Sequence, residues 1–136
     1  MICAAASTQT LARQEAMARP RDIEVTLTLL PTEHGGRNGP AFSGYRPQFY
    51  YSGQDFDGVH EYPDVGSVNP GDTVKAFIVF LSPAYHLGKL KPGTAFLIRE
   101  GQRVVGYGAV TQILDLEASA KRALAGDGFA RLGDAS

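Results

Sequence analysis

The chain has 136 residues, 43% of them hydrophobic, and a formal net charge of -1, enough for one self-sufficient core without disulfides or metal. Between Arg21 and Leu116 eight Lys and Arg stand against ten Asp and Glu, so bulk charge will not drive nucleic-acid binding. The single cysteine, Cys3, excludes a disulfide framework and a cysteine zinc site; with no secretory h-region and no stretch of membrane-spanning length, the expected address is cytoplasmic.

Residues 1–20 read as a disordered extension. Arg13, Arg19 and Arg21 among Ser and Thr also suit an organellar presequence, but Glu15 and a thin apolar face oppose it, and Met17 is a second candidate start. From Arg21 the pattern becomes two-periodic: Ile23, Val25, Leu27 and Leu29 alternate with Glu24, Thr26 and Thr28, as a half-buried strand requires. A Gly- and Pro-rich loop follows from Pro31 to Gly44, then an aromatic run at Gln48 to Tyr51. A turn is expected around Asp55 to Gly58 and a short strand near Val59 to Tyr62, which Pro63 ends by withholding a ladder donor. Pro70-Gly71-Asp72 is a turn before Thr73 to Leu81, where Val74, Ala76, Ile78 and Phe80 alternate with Lys75, Phe77 and Val79; two partly apolar faces predict a covered strand.

Ala95 to Ile98 is a short apolar strand, Glu100-Gly101-Gln102 a turn in which Gly101 takes positive φ, and Val104 onward the returning strand. The tip presents Arg99, Glu100, a glycine N–H and Arg103, donors and acceptors suited to recognition, with no nucleophile among them. Phe42, Phe49, Tyr50 and Tyr51 read as core before stacking platform. After Leu116, Glu117 to Ala125 is built of helix formers and ends at Gly126, too short to hold without docking, and the last ten residues read as disordered. The domain is therefore expected over 21–116, with an extension at 1–20 and a tail at 117–136. Six strands rich in turn residues, with no helix between them, predict an all-β fold: a six-stranded antiparallel closed barrel, whose closure removes sticky edges.

Catalytic and nucleotide motifs are missing. A phosphate-binding loop would need a glycine where Pro83 stands and a hydroxyl where Leu90 follows Gly88-Lys89, and no Asn-Lys-x-Asp motif occurs, so GTP binding is not expected. Asp55-x-x-Gly58 resembles a GTPase switch motif but reads as turn chemistry. Gly106-Tyr107-Gly108 lacks a third glycine, has Thr111 in that place, and marks close packing inside a strand. His34, His60 and His86 lack metal-ligand spacing and read as loop or surface residues. No enzyme, cofactor or metal is expected.

Ordered blocks carry a family resemblance: Gly35-Gly36-Arg37, the unbroken Gly44-Tyr45-Arg46-Pro47-Gln48-Phe49-Tyr50, the Asp-x-x-Gly turn at Asp55 to Gly58, the Pro70-Gly71-Asp72 turn with Val74 and Lys75, and the hairpin around Gly101. From about Arg21 to Leu114 the chain resembles the C-terminal β-barrel domain of bacterial elongation factor Tu, here as a stand-alone protein. The resemblance implies a barrel of six antiparallel strands that touches the T-stem backbone of aminoacyl-tRNA, meets the nucleotide-exchange factor and packs against the GTPase domain. It places the RNA contacts on Arg37, Gln48, Glu100 and Gly101. Arg46, Lys89, Lys91, Arg99 and Arg103 are accessory candidates, although Arg46 and Gln48 also suit loop carbonyls beside the aromatic core. Three positions depart from the family: Asp57 replaces a threonine and would repel phosphate, Ser82 replaces a histidine, and Asn38 replaces a histidine after Gly-Gly-Arg. The segment Ala84 to Thr94 is longer than its family counterpart and brings Lys89 and Lys91.

Four hydrogen-bonding positions at roughly 1 to 1.5 kcal/mol each barely reach the ~4 to 15 kcal/mol association cost, so the barrel alone should hold tRNA weakly. A non-catalytic module binding a protein partner, such as a translation GTPase or its exchange factor, is therefore preferred. A weak tRNA-binding accessory of translation and a duplicated domain without a translation role stand as alternatives.

Overall fold

In the computed structural model, which describes residues 21–135 and for 126–135 the backbone, the alternation of apolar side chains sets the architecture. Ile23, Val25, Leu27 and Leu29 are fully buried on β1 (Ile23–Leu29). The same period-two burial runs along β2 (Gln48–Tyr51), β4 (Thr73–Phe80) and β5 (Ala95–Glu100). With β3 (Gln54–Glu61) and β6 (Arg103–Ile113) they close a barrel in the order β1-β4-β3-β2-β5-β6, all pairs antiparallel. Closure pairs the first strand with both the fourth and the last. Phe49 centres the interior, stacked on Phe96 at 4.3 Å and edge-on to Phe80 and Tyr51.

Small residues let β6 lie close to β1: a Cβ on Gly108 would stand 2.2 Å from the Thr26 carbonyl oxygen, and one on Gly106 2.8 Å from that of Thr28. The expected close packing of this pair is present. β4 is covered as expected, with Arg21 stacked 4.4 Å above the Phe77 ring and paired in two hydrogen bonds with Glu61.

Three expectations are corrected. The turn between β2 and β3 is Ser52-Gly53, not Asp55–Gly58: both take positive φ, 52° and 76°, the signature of a two-residue hairpin, so Asp55 to Gly58 lies within β3. Gly58 is needed there because a Cβ would meet the Ile78 side chain at 2.8 Å.

The helix α1 runs Leu116–Ala135, through Gly126 and into the segment expected to be disordered. Its first turns are anchored where Leu116 and Ala120 are buried and the Ser119 hydroxyl donates to the fully buried Asp22, which also accepts the Phe80 amide at 2.8 Å. These contacts dock the first turns, as a helix of these residues needs; Gly126, Gly128 and Gly133 lie beyond them within the helix. The expected extension at 1–20 lies outside the described residues.

The histidines form the third correction, since His60 and His86 are buried and only His34 is exposed. Each is bonded to a tyrosine, His60 Nδ1 with the Tyr62 hydroxyl at 2.9 Å and His86 Nδ1 with that of Tyr51 at 2.6 Å. Burial holds them neutral, their pKa pushed down to about 3 and about 4. Hydroxyl partners two residues away or across the barrel leave no periodic signal that marks a histidine as interior.

Candidate binding site

Antiparallel alternation puts the loop after β1, the start of β2 and the β5–β6 tip at one end of the barrel. Gly36 bends the loop back there: a Cβ would lie 2.0 Å from the Leu30 carbonyl oxygen, so glycine is required. Arg37 then points at Glu100, donates to the carbonyls of Gly39 and Pro40, and stacks 4.5 Å above the Tyr45 ring. The Tyr45 hydroxyl donates to the same Glu100 carboxylate, and Arg103 reaches the Gly36 carbonyl at 3.3 Å. Burial raises the Glu100 pKa, but the Tyr45 and Arg37 hydrogen bonds outweigh it and hold the carboxyl below the usual glutamate range. Burial and the same carboxylate push the Tyr45 phenol up. Beneath them Tyr45 packs edge-on against His60, ring centroids 5.5 Å apart.

The structure thus brings Arg37, Glu100, Gly101 and Arg103 together, with Gly101 in the expected left-handed turn, φ 64°. Gln48 belongs to an adjoining surface, the outer wall of β3, β2 and β5. Its register partners are Asp57 on one side and Arg99 on the other. Arg99 lies 4.6 Å over the Tyr50 ring and 3.6 Å from Asp55, its Nε buried without a hydrogen-bond partner. Arg46 is exposed just before β2. Neither Arg46 nor Gln48 makes a side-chain hydrogen bond among the described residues; the loop carbonyls of Gly36, Gly39 and Pro40 accept from Arg37 and Arg103. Phe49 and Tyr51 are core, Tyr50 is half-buried under Arg99, and Phe42 is exposed.

Lys89 and Lys91 do not join this group. They sit on the connection from β4 to β5, at the opposite end of the barrel, where the strands run the other way. Tyr45, Asp55 and Tyr50 are the residues that sequence reasoning missed as site members. For Tyr50 and Asp55 the signal was register: once Gln48 faces outward, Tyr50 must as well, and Asp55 is its partner on β3; Tyr45 lies before β2 and has no ladder partner to mark it.

The family model described as elongation factor Tu C-terminal domain matches residues 17–114. The chain belongs to that family. Its closed barrel of six strands agrees with the elongation factor Tu resemblance carried by the sequence blocks, and the chain is a translation-factor-related domain. Among the described residues no helix is long and apolar enough to cross a membrane.

Proposed function

We propose that this elongation factor Tu-like barrel is a non-catalytic, cytoplasmic binding module whose partner is a protein of the translation apparatus, such as a translation GTPase or its exchange factor. One observation carries the proposal: the arginine assigned to RNA by resemblance, Arg37, is already satisfied inside the molecule by Glu100, two carbonyls and the Tyr45 face. A phosphate would have to displace a carboxylate to reach it. Gln48 is flanked in register by Asp57, and Asp55 stands on the same wall, both unfavourable to a polyanion. The wall of Gln48, Tyr50, Arg99, Asp55 and Asp57 presents a tyrosine and an arginine, two residue types enriched at protein interfaces.

Titration calorimetry with an elongation factor Tu GTPase and with its exchange factor tests this. Binding to one of them, weakened about tenfold or more by Arg99→Ala, is expected; absence of binding to both, or indifference to that substitution, overturns it.

Weak tRNA binding is a second reading, favoured by the gathering of Arg37, Glu100, Gly101 and Arg103 at one end. It requires binding that falls with salt and weakens in an Arg37→Ala, Glu100→Ala double variant.

A further inference from the structure

The connection from β4 to β5 and the β2–β3 hairpin build a second surface at the end away from Arg37. Tyr51, Ser52, Gln54, Phe56, Tyr85 and Lys89 line a pocket of about 260 Å³. Its walls are aromatic, with Phe56 packed between Tyr51 and Tyr85 at ring separations of 5.3 and 5.1 Å. The rim offers donors. Lys89 Nζ stands 3.9 Å from the Tyr85 ring centroid and makes no ion pair among the described residues. The Tyr85 hydroxyl donates to Gln54 Oε1 at 3.1 Å, which leaves the Gln54 amide nitrogen and the Ser52 hydroxyl as further donors.

No carboxylate lines the pocket, and residues 81–94 contain two lysines and no acid. Three features hold the shape. His86 is buried behind it and fixes the Tyr51 ring through the 2.6 Å bond, Ser52 is locked in the left-handed turn, and α1 packs against the short turn Pro83–His86. The pocket is therefore held in shape, lined by aromatic and polar side chains with one cation among them, in a domain that otherwise carries an excess of acids.

We propose that this pocket receives an acidic side chain of the partner protein, presented next to an apolar residue that covers the exposed face of Tyr85. Charge complementarity selects the acid: the Gln54 amide, the Ser52 hydroxyl and the Lys89 ammonium line the pocket without a competing carboxylate. The aromatic walls, with Tyr85 46% exposed, select an apolar neighbour. Two lysines supply too few phosphate contacts for a nucleic acid to be the better occupant. The inference rests on the reading of the chain as a protein-binding module and gives that partner a second contact, chemically distinct from the Arg99 wall.

The test uses the full chain, isotope-labelled for amide spectra, and three probes: the capped peptide Gly-Leu-Asp-Phe-Gly, its counterpart with Asn for Asp, and oligouridine. Expected are saturable shifts confined to the amides of residues 52–56 and 85–89, with the Asp peptide bound about fivefold more tightly than the Asn peptide. Lys89→Gln, at an exposed position that leaves the rest of the spectrum unchanged, removes that preference, and Lys91→Gln keeps it. Absence of shifts at millimolar peptide, equal binding of the Asp and Asn peptides, or tighter binding of oligouridine at the same amides overturns the proposal. Failure here with Arg99-dependent GTPase binding intact removes this pocket alone; the reverse result removes the Arg99 wall alone.

Discussion

The two ends of the barrel use similar parts to opposite effect. At one, an arginine, a carboxylate and a tyrosine close on one another over a buried histidine: Arg37, Glu100 and Tyr45 satisfy each other and the loop carbonyls, and Tyr45 packs edge-on against His60. At the other, Lys89, Tyr85 and Tyr51, with His86 buried behind them, line a space that no carboxylate fills. Cationic and aromatic side chains alone thus say little about binding; what matters is whether the opposite charge is supplied from within.

The largest expected effect probes what the ends share. His60 and His86 are held neutral at about 3 and about 4, against 6.5 when unfolded. A base with a lowered folded pKa gives stability that is complete above pH 6.5 and lost as pH falls toward the folded value. Each should cost about 2 kcal/mol at pH 5, on the order of 4 kcal/mol together. Urea unfolding at pH 7 and 5 checks this, and equal stability at both would remove the account of buried neutral histidines. Replacing either histidine by glutamine should remove about half of the dependence.

Glycines separate the ends next. Gly36→Ala puts a Cβ against backbone on two sides and should cost about 3 kcal/mol, whereas Gly88→Ala, at φ 73° with open space around it, should cost only the left-handed strain of about 1 kcal/mol. Thermal melts of the pair would break the contrast if Gly88→Ala proved the worse.

Glu100→Gln should cost about 1 to 2 kcal/mol at pH 7, because it weakens two charge-assisted hydrogen bonds of partly exposed groups. Its sign with pH is fixed. An acid with a lowered folded pKa contributes above its unfolded value, so the gap between wild type and variant should narrow as pH falls below about 4.5. A gap that widened would mean that Glu100 is not the anchor of that end.

The smallest effect is at the open end. Ser52→Asn should change stability by no more than a few tenths of a kcal/mol, in the favourable direction, because asparagine tolerates the left-handed conformation that Ser52 holds.

The fold was legible because period-two burial and turn residues repeat along most of the chain, and because the Gly44 to Tyr50 block is specific. The Asp55–Gly58 turn was misplaced since Asp and Gly signal turns from sequence alone, while the decisive Ser52-Gly53 pair is a less common carrier of positive φ. The helix beyond Gly126 could not be read locally; the buried Asp22 that anchors its start lies at the head of β1, nearly a hundred residues before it. For the site, the structure brings Arg37, Glu100, Gly101 and Arg103 together, while Lys89 and Lys91, expected as accessories, lie at the opposite end. Sequence proximity shows which residues share a loop, but only strand direction shows which end of a barrel that loop occupies.

β1 lies between β4 and β6, so the seam of the barrel joins the earliest strand to the last. The hairpins β2–β3 and β5–β6 close over short distances, but the seam needs residue 113 to have left the ribosome before it can form. Until then the β1 ladder stands open to neighbouring chains, and synthesis passes through an interval of aggregation risk that ends only with the final strand.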